Sequence, residues 1–333
     1  MKKNNKIIMI ILILIIMIFS ILLICNKNEF PFKNIFNKIK ISTDKILNKK
    51  DIDNIYLGKD NYLLKKYEKP VNNKKIVKKL NDLYKELNYI NMNLMLVPTS
   101  ISINSDLLPK NAFTYNEKKT IDYIYDNINF DSINVYDVLK LHNKDYQMYY
   151  RSDINWTTFS AYYAYLEFAK INNINAYNLD SFDINVLTEK FNGNLVNKTN
   201  DYSCGNDTIY QFELKNSSYE LKYHDTKKKT NSLYNLNSIK NKYNVFLDGN
   251  HDLIEITNKK NNNNKELIII KDSYANSIIP FLINHYEKIY VIDLEYYNGS
   301  LIKLINDNKN IKDLLVLYNV NELDEKLSLI KIK

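Results

Sequence analysis

Only five glycines punctuate the 333 residues, at positions 58, 193, 205, 249 and 299. They are too dispersed to form a phosphate-cradling loop or a dinucleotide fingerprint, both of which need clustered glycines next to a helix start. Cysteine is as scarce: Cys25 ends a long apolar segment and Cys204 lies far along the chain, so no disulfide is expected to hold the fold. The four histidines, 142, 224, 251 and 285, form no cluster with either cysteine at metal-ligand spacing. Neither a metal nor a cofactor is implied. Nucleic acid is a poor fit as a partner, because no recognised binding motif accompanies the basic residues.

What is abundant points elsewhere. With 45% hydrophobic and 13% aromatic residues the chain can bury a sizeable core, and one main domain is expected. The net charge of +8 comes from lysines scattered along the chain. Lys, Asn, Ile and Tyr are inflated together, as an AT-rich genome would inflate them. An anionic membrane surface or an acidic wall polymer is the alternative reading of that charge.

Residues 7–25, "IIMIILILIIMIFSILLIC", are apolar except for Ser20 and long enough as a helix to cross a bilayer core of about 30 Å. No small-x-small cleavage site follows, and Ile24 stands where a lipoprotein signal would need a small residue before its cysteine. The sequence therefore predicts a retained anchor over 7–25, a short tail over 1–6, and a Lys- and Asn-rich stem over 26–50. Lysines flank both sides of the anchor, so the positive-inside count does not orient it.

In residues 51–333, continuous apolar runs at 93–98, 267–270, 289–292 and 314–318 alternate with helical patterns such as "IVKKLNDLYKELNY" and "NEKKTIDYIYDNI". Runs without polar alternation fit strands covered on both faces. The expected class is α/β, a largely parallel sheet flanked by helices. Residues 176–257, with candidate strands "TIYQFEL", "YELKYHD", "YNVFLDG" and "DLIEIT", read as an antiparallel β-rich insertion.

Two segments carry chemistry. In "YYRSDINWTTFSAYYAY", residues 149–165, Trp156, Phe159, Tyr163 and Leu166 share a helical face, and Asn155 sits where an N-cap belongs. In "ELIIIKDSYANSIIPFL", Ser273 falls just after a buried strand and before a helix expected to begin near Asn276 or Ser277, with Pro280 tolerated in its first turn. A serine in such a turn is exposed at the carboxyl edge of a sheet, the place nucleophilic serines favour in α/β hydrolytic folds. Backbone amides at the helix start could hold a developing oxyanion there.

These blocks, with "LMLVPTS", the downstream "LLPK" and "VFLDGNHDLIEI", resemble the DHHW family of bacterial envelope proteins over roughly residues 54–320. That family is SGNH-hydrolase-like and related to the alginate O-acetyltransferase group. The resemblance implies an extracytoplasmic domain engaged in ester chemistry on a cell-surface glycan, in some relatives beside a membrane-bound O-acyltransferase. It also favours an inside N-terminus and an outside body.

Carried onto this chain, Ser273 matches the nucleophile, Asp153 the orienting carboxylate and Asn155 the general base. Here the pattern departs, since Asp-His-His-Trp has become Asp153-Ile154-Asn155-Trp156. A carboxamide cannot take a proton from a serine hydroxyl near neutral pH. Losing the base of a triad typically costs on the order of a millionfold in turnover, so attenuated or lost catalysis is expected. His251 in "DGNHDL" is the candidate substitute base. Candidate substrate contacts are Arg151, which could hold an anionic group, Asn276, which could donate to an oxyanion, Thr99 and Ser100 at the end of another strand, and Trp156. Each has a purely structural alternative. A non-catalytic glycan-binding or scaffold protein is the rival to the enzyme reading.

Overall fold

The computed structural model describes residues 51–237 and 242–323, together with Leu14 and Met17. Apart from those two positions, the tail, anchor and stem expected over residues 1–50 lie outside the described residues. Among the described residues no helix is long and apolar enough to cross a membrane.

The body opens with a small antiparallel sheet of β1 (Asp51–Ile52), β2 (Ile55–Leu57) and β3 (Leu63–Lys65). It continues with α1 (Asn73–Glu86), β4 (Asn91–Val97), α2 (Ser100–Ile103), α3 (Glu117–Tyr125), β5 (Asp131–Ser132), α4 (Tyr136–His142) and α5 (Thr158–Ile171). Then follow β6 (Phe182–Phe191), α6 (Asn194–Thr199), β7 (Asp207–Leu214), β8 (Tyr219–Tyr223), β9 (Lys229–Thr230) and β10 (Leu253–Asn258). The chain returns through β11 (Glu266–Lys271), α7 (Ile279–Leu282), β12 (Lys288–Ile292), α8 (Leu301–Asp307) and β13 (Ile311–Asn319).

Eight strands form the main sheet in the order β5-β4-β13-β11-β12-β10-β8-β9. From β5 to β12 every pairing is parallel, and from β12 to β9 every pairing is antiparallel. The sheet is thus mixed, a correction to the largely parallel expectation. Much of the region read as an insertion supplies the antiparallel half: β8, β9 and β10 extend the main sheet, while β6 and β7 pair separately as a ribbon. The segment "YNVFLDG" is not a strand. Leu247, Asp248 and Gly249 all have positive φ, which extended pairing cannot accommodate.

The apolar runs explain the layering. In β11, Leu267 and Ile269 belong to one core and Ile268 and Ile270 to the other. β13 divides the same way, with Leu315 and Leu317 opposite Leu314 and Val316. Each strand therefore buries both faces, and the two-residue side-chain period deals its residues to two separate cores. One core is closed by α1 and α3 through Ile76, Leu80, Leu83, Ile121 and Ile124, at helical spacing. The other is closed by α5 and α7, and α5 is buried nearly all round through Ala161, Tyr162, Ala164, Tyr165 and Phe168. A side chain of this kind contributes about 1.5–3 kcal/mol when fully buried, so the central strands form a stiff platform whose carboxyl ends hold the site.

Candidate functional site

Strand β11 ends at Lys271, and the chain turns at once. Asp272, buried, accepts hydrogen bonds from the Tyr274 amide at 2.9 Å and from both the backbone and side-chain nitrogens of Asn319 at 2.7 Å. These bonds pin the turn to the end of the neighbouring β13. Burial raises the Asp272 carboxyl above its ordinary range, with Glu322 adding to the effect. Ser273 emerges half-buried and opens a 3-10 segment, Ser273–Ser277. The α-helix starts only at Ile279, later than the expected Asn276 or Ser277, with Pro280 in its first turn. The Tyr274 amide is already held by Asp272 and is not spare for an oxyanion.

Behind the turn, Lys271 is fully buried, with Nζ 2.7 Å from Asn250 Oδ1 and 3.6 Å from Asp293 Oδ2. Asn276 donates through Nδ2 to the Gly249 carbonyl at 3.1 Å and to Asn250 Oδ1 at 3.2 Å. In this arrangement its amide hydrogens brace the 249–250 turn instead of facing the serine.

The loop carrying Asp153 is held from outside its own sequence. Asp207 accepts from the amides of Arg151 and Ser152 at 3.2 and 2.9 Å, from Gln147 Nε2 at 2.8 Å, and from the Ser152 hydroxyl. Arg151 closes onto it through Nε at 3.4 Å and gives Nη2 to the Asn206 carbonyl at 2.8 Å, so its guanidinium is largely committed. Hydrogen bonds to a charged acceptor contribute about 1.5–3 kcal/mol each, enough to fix the loop's register.

Asp153 itself accepts the Asn194 amide at 2.7 Å, the Asn155 amide at 2.9 Å and Asn155 Nδ2 at 2.7 Å. Burial raises its carboxyl above the usual carboxylate range, an effect these N–H donors oppose. Gly193 lets the backbone come this close: a Cβ there would sit 2.2 Å from Asp153 Cβ. Sequence reading missed both Asp207 and Gly193. Gly193 could have been suspected, because a chain with so few glycines retains them where a side chain cannot fit.

The two segments meet. Ser273 Oγ lies 3.1 Å from Asn155 Oδ1, Trp156 Nε1 donates to the Tyr274 carbonyl at 2.9 Å, and the Tyr274 hydroxyl donates to the Ile154 carbonyl. A carboxylate only accepts, so Asn155 must turn its NH2 toward Asp153 and its oxygen toward Ser273. The serine hydroxyl is then the donor. The amide therefore reproduces the hydrogen-bond polarity of a neutral imidazole between serine and aspartate, without the basicity. Asn155, expected from the sequence to cap the following helix, does not cap it. Thr157 does, accepting from the Ser160 amide, because the Asn155 side chain is used by Asp153 and Ser273.

None of the four histidines hydrogen-bonds Ser273. His251 holds Asp225 through Nδ1 at 2.9 and 3.0 Å, and its Nε2 is buried with no hydrogen-bond partner among the described residues. His224 pairs with Glu255 at 2.6 Å, His285 with the Tyr165 hydroxyl at 2.7 Å, and His142 with Asp145 at 3.2 Å. Trp156 is fully buried and packs 5.7 Å from the Tyr274 ring, so it supports the turn from beneath and presents no surface to a ligand.

Thr99 and Ser100 follow β4, at the same sheet edge as Ser273 and two strands away, about 10 Å at ordinary strand spacing. Both are buried. Ser100 Oγ accepts from Asn104 Nδ2 at 3.0 Å. Thr99 donates its hydroxyl to Glu117 at 2.6 Å and its amide at 2.7 Å. Glu117 was not singled out from the sequence, yet it is wholly buried and desolvation pushes its carboxyl up to about 7.

A mixed α/β sheet with a half-exposed serine at the carboxyl end of a central strand, facing an Asp-x-x-Trp loop, defines the class: an α/β protein with a serine site at the sheet's carboxyl edge. Within it, a model of the DHHW protein family matches residues 34–292, and the chain belongs to that family. A crystal structure of a DHHW family protein from Eubacterium siraeum is similar at 22% identity with a TM-score of 0.72, over 85% of this chain and 95% of that one. Bacillus cereus PatB1, in a structure with a sulfonyl adduct, is similar at 21% identity with a TM-score of 0.68, over 83% and 97%. The O-acetyltransferase domain of Pseudomonas putida AlgJ gives 11% identity and a TM-score of 0.50, over 83% and 95%. No curated protein sequence matches significantly. At these identities the structural likenesses establish the fold.

Proposed function

We propose that this DHHW protein is a membrane-anchored, extracytoplasmic domain that engages an acylated or acylatable cell-envelope glycan, with O-acetyl transfer or ester hydrolysis attenuated by the amide at position 155. The observation that carries the reading is the Ser273–Asn155–Asp153 chain of hydrogen bonds at 3.1 and 2.7 Å. A serine, an intermediary and a buried aspartate are in register, and only the proton acceptor is missing. The fold likeness to an O-acetyltransferase domain supports the glycan-acyl context. The anchor over residues 7–25, the tail and stem around it, the domain over 51–333 and the outside placement of the body belong to the same proposal. Among the histidines His251 is the candidate substitute base, in the sense that its Nε2 carries no partner among the described residues.

Restoring the base tests the reading. Asn155→His is expected to hydrolyse small acetyl esters, and Ser273→Ala in that background to abolish the gain. An Asn155→His protein that folds and remains inert, beside an active family member, would remove the main support. The same amide favours a second reading, a non-catalytic partner that captures glycan for a membrane-bound O-acyltransferase. On that reading Ser273→Ala leaves the cellular phenotype unchanged.

A further inference from the structure

At the opposite end of the sheet from Ser273 lies a cavity of about 470 Å³, between the end of α5, the entry to β11 and the entry to β13. Strand β11 separates the two places by six residues, roughly 20 Å at 3.3 Å per residue. Most of its lining residues are polar, with Lys265, Lys312, Asp313, His285, Tyr286 and several asparagines, although carbon atoms make up about half of the exposed wall.

The polar groups are not all spent on the fold. The Tyr177 amide donates to the Tyr165 hydroxyl at 2.7 Å, and the same hydroxyl hydrogen-bonds His285 Nε2, also at 2.7 Å. The other ring nitrogen of His285, Nδ1, has no hydrogen-bond partner among the described residues. Burial and the nearby Lys265 ammonium push this imidazole down to about 4, which keeps the ring neutral and leaves Nδ1 able to hydrogen-bond a ligand hydroxyl. The Tyr286 hydroxyl is buried beside Asp313 without a hydrogen bond of ordinary geometry. Asp313 accepts from Asn91 Nδ2 at 2.8 Å and lies near Lys265. Lys312 makes no ion pair among the described residues, so the cavity wall carries two ammonium groups against one carboxylate.

Neutral donors spaced around a concave, amide-rich wall suit the hydroxyls of a sugar or polyol, and the surplus ammonium selects an acidic substituent. We infer that this cavity is a binding subsite for an acidic saccharide or polyol chain, bearing carboxylate or phosphate groups, distinct from the Ser273 site. The inference shares a ligand class with the proposed function but stands on separate residues.

The test is calorimetric titration of the full chain with three probes: a tetra-uronate, the same tetrasaccharide reduced to neutral sugars, and a short glycerol-phosphate oligomer. At least one acidic probe is expected to bind tenfold or more tightly than the neutral one. Lys312→Gln and Lys265→Gln are each expected to weaken that binding at least tenfold without lowering the melting temperature, and Ser273→Ala to leave it unchanged. Binding of the uronate or of the phosphate oligomer alone identifies the acidic group. Equal binding of neutral and acidic probes, insensitivity to both lysine substitutions, or no binding of any probe overturns the inference. Acid-selective binding that is lost with Ser273→Ala and kept with the lysine variants moves the ligand to the serine site, and so overturns this subsite while sparing the proposed function.

Discussion

Ser273 and Asn155 stand 118 positions apart in the chain, and their side chains hydrogen-bond at 3.1 Å. The contact joins the carboxyl end of a central strand to the loop before an aromatic helix. It places an amide where ester chemistry by a serine needs an imidazole.

The first prediction follows from that contact. Asn155→His supplies a group able to take the Ser273 proton while still donating to Asp153, and a positioned general base contributes typically about 10²–10⁴-fold. Hydrolysis of a chromogenic acetyl ester should rise by that order, short of the roughly millionfold cost of losing a base from an intact triad because the rest of this site is not tuned to an imidazole, and should increase with pH as the new imidazole loses its proton. Fluorophosphonate labelling at Ser273 should appear with the same pH dependence.

Gly193→Ala should damage the site from behind. The added Cβ would lie 2.2 Å from Asp153 Cβ and 2.4 Å from its Oδ2, so the carboxylate or the Gly193 backbone must move. Overpacking of this kind costs about 1–3 kcal/mol. Chemical denaturation should report that loss, and an Asn155→His, Gly193→Ala double variant should lose most of the activity gained by the first change.

Asp207→Ala strands the donors it collects from Gln147, Arg151 and Ser152. Removing the acceptor from a buried charged network costs about 3–5 kcal/mol. Asp207→Asn, which keeps one acceptor oxygen, should recover part of that stability, and thermal melts of the two variants would show the difference.

Glu117 gives the chain a pH dependence of a particular sign. Its folded carboxyl is pushed up to about 7 from 4.5, so between those values the folded state holds a proton that the unfolded state has released. Stability contributed by this group is therefore full below about 4.5 and declines as pH rises toward 7, by up to about 3 kcal/mol at 1.36 kcal/mol per unit. Glu117→Gln should flatten the stability profile between about pH 4.5 and 7, as measured by denaturant midpoints. An unchanged slope would exclude Glu117 as its source.

Much of this architecture is written locally. The runs at 267–270, 289–292 and 314–318 are strands because every residue is apolar, and a strand with no polar face must be covered twice. α1 and α3 follow from apolar residues three and four apart. β6 was missed because the alternation of Phe182, Ile184 and Val186 with Asp183 and Asn185 stops at Leu187, where the register of the ribbon also shifts. The antiparallel half of the sheet was visible as strands, but not as part of the same sheet, since pairing partners are chosen by packing and leave no local period.

The site divides in the same manner. Residue chemistry alone determined that position 155 cannot act as a base and that Ser273 closes a buried strand. Only the folded chain decided that these two positions touch, that Arg151, Asn276 and Trp156 are spent on structure, and that Asp207, Gly193 and Glu117 matter. The reason is physical: periodicity records which face of an element is buried, whereas a hydrogen bond depends on the orientation of two groups brought together across the whole fold.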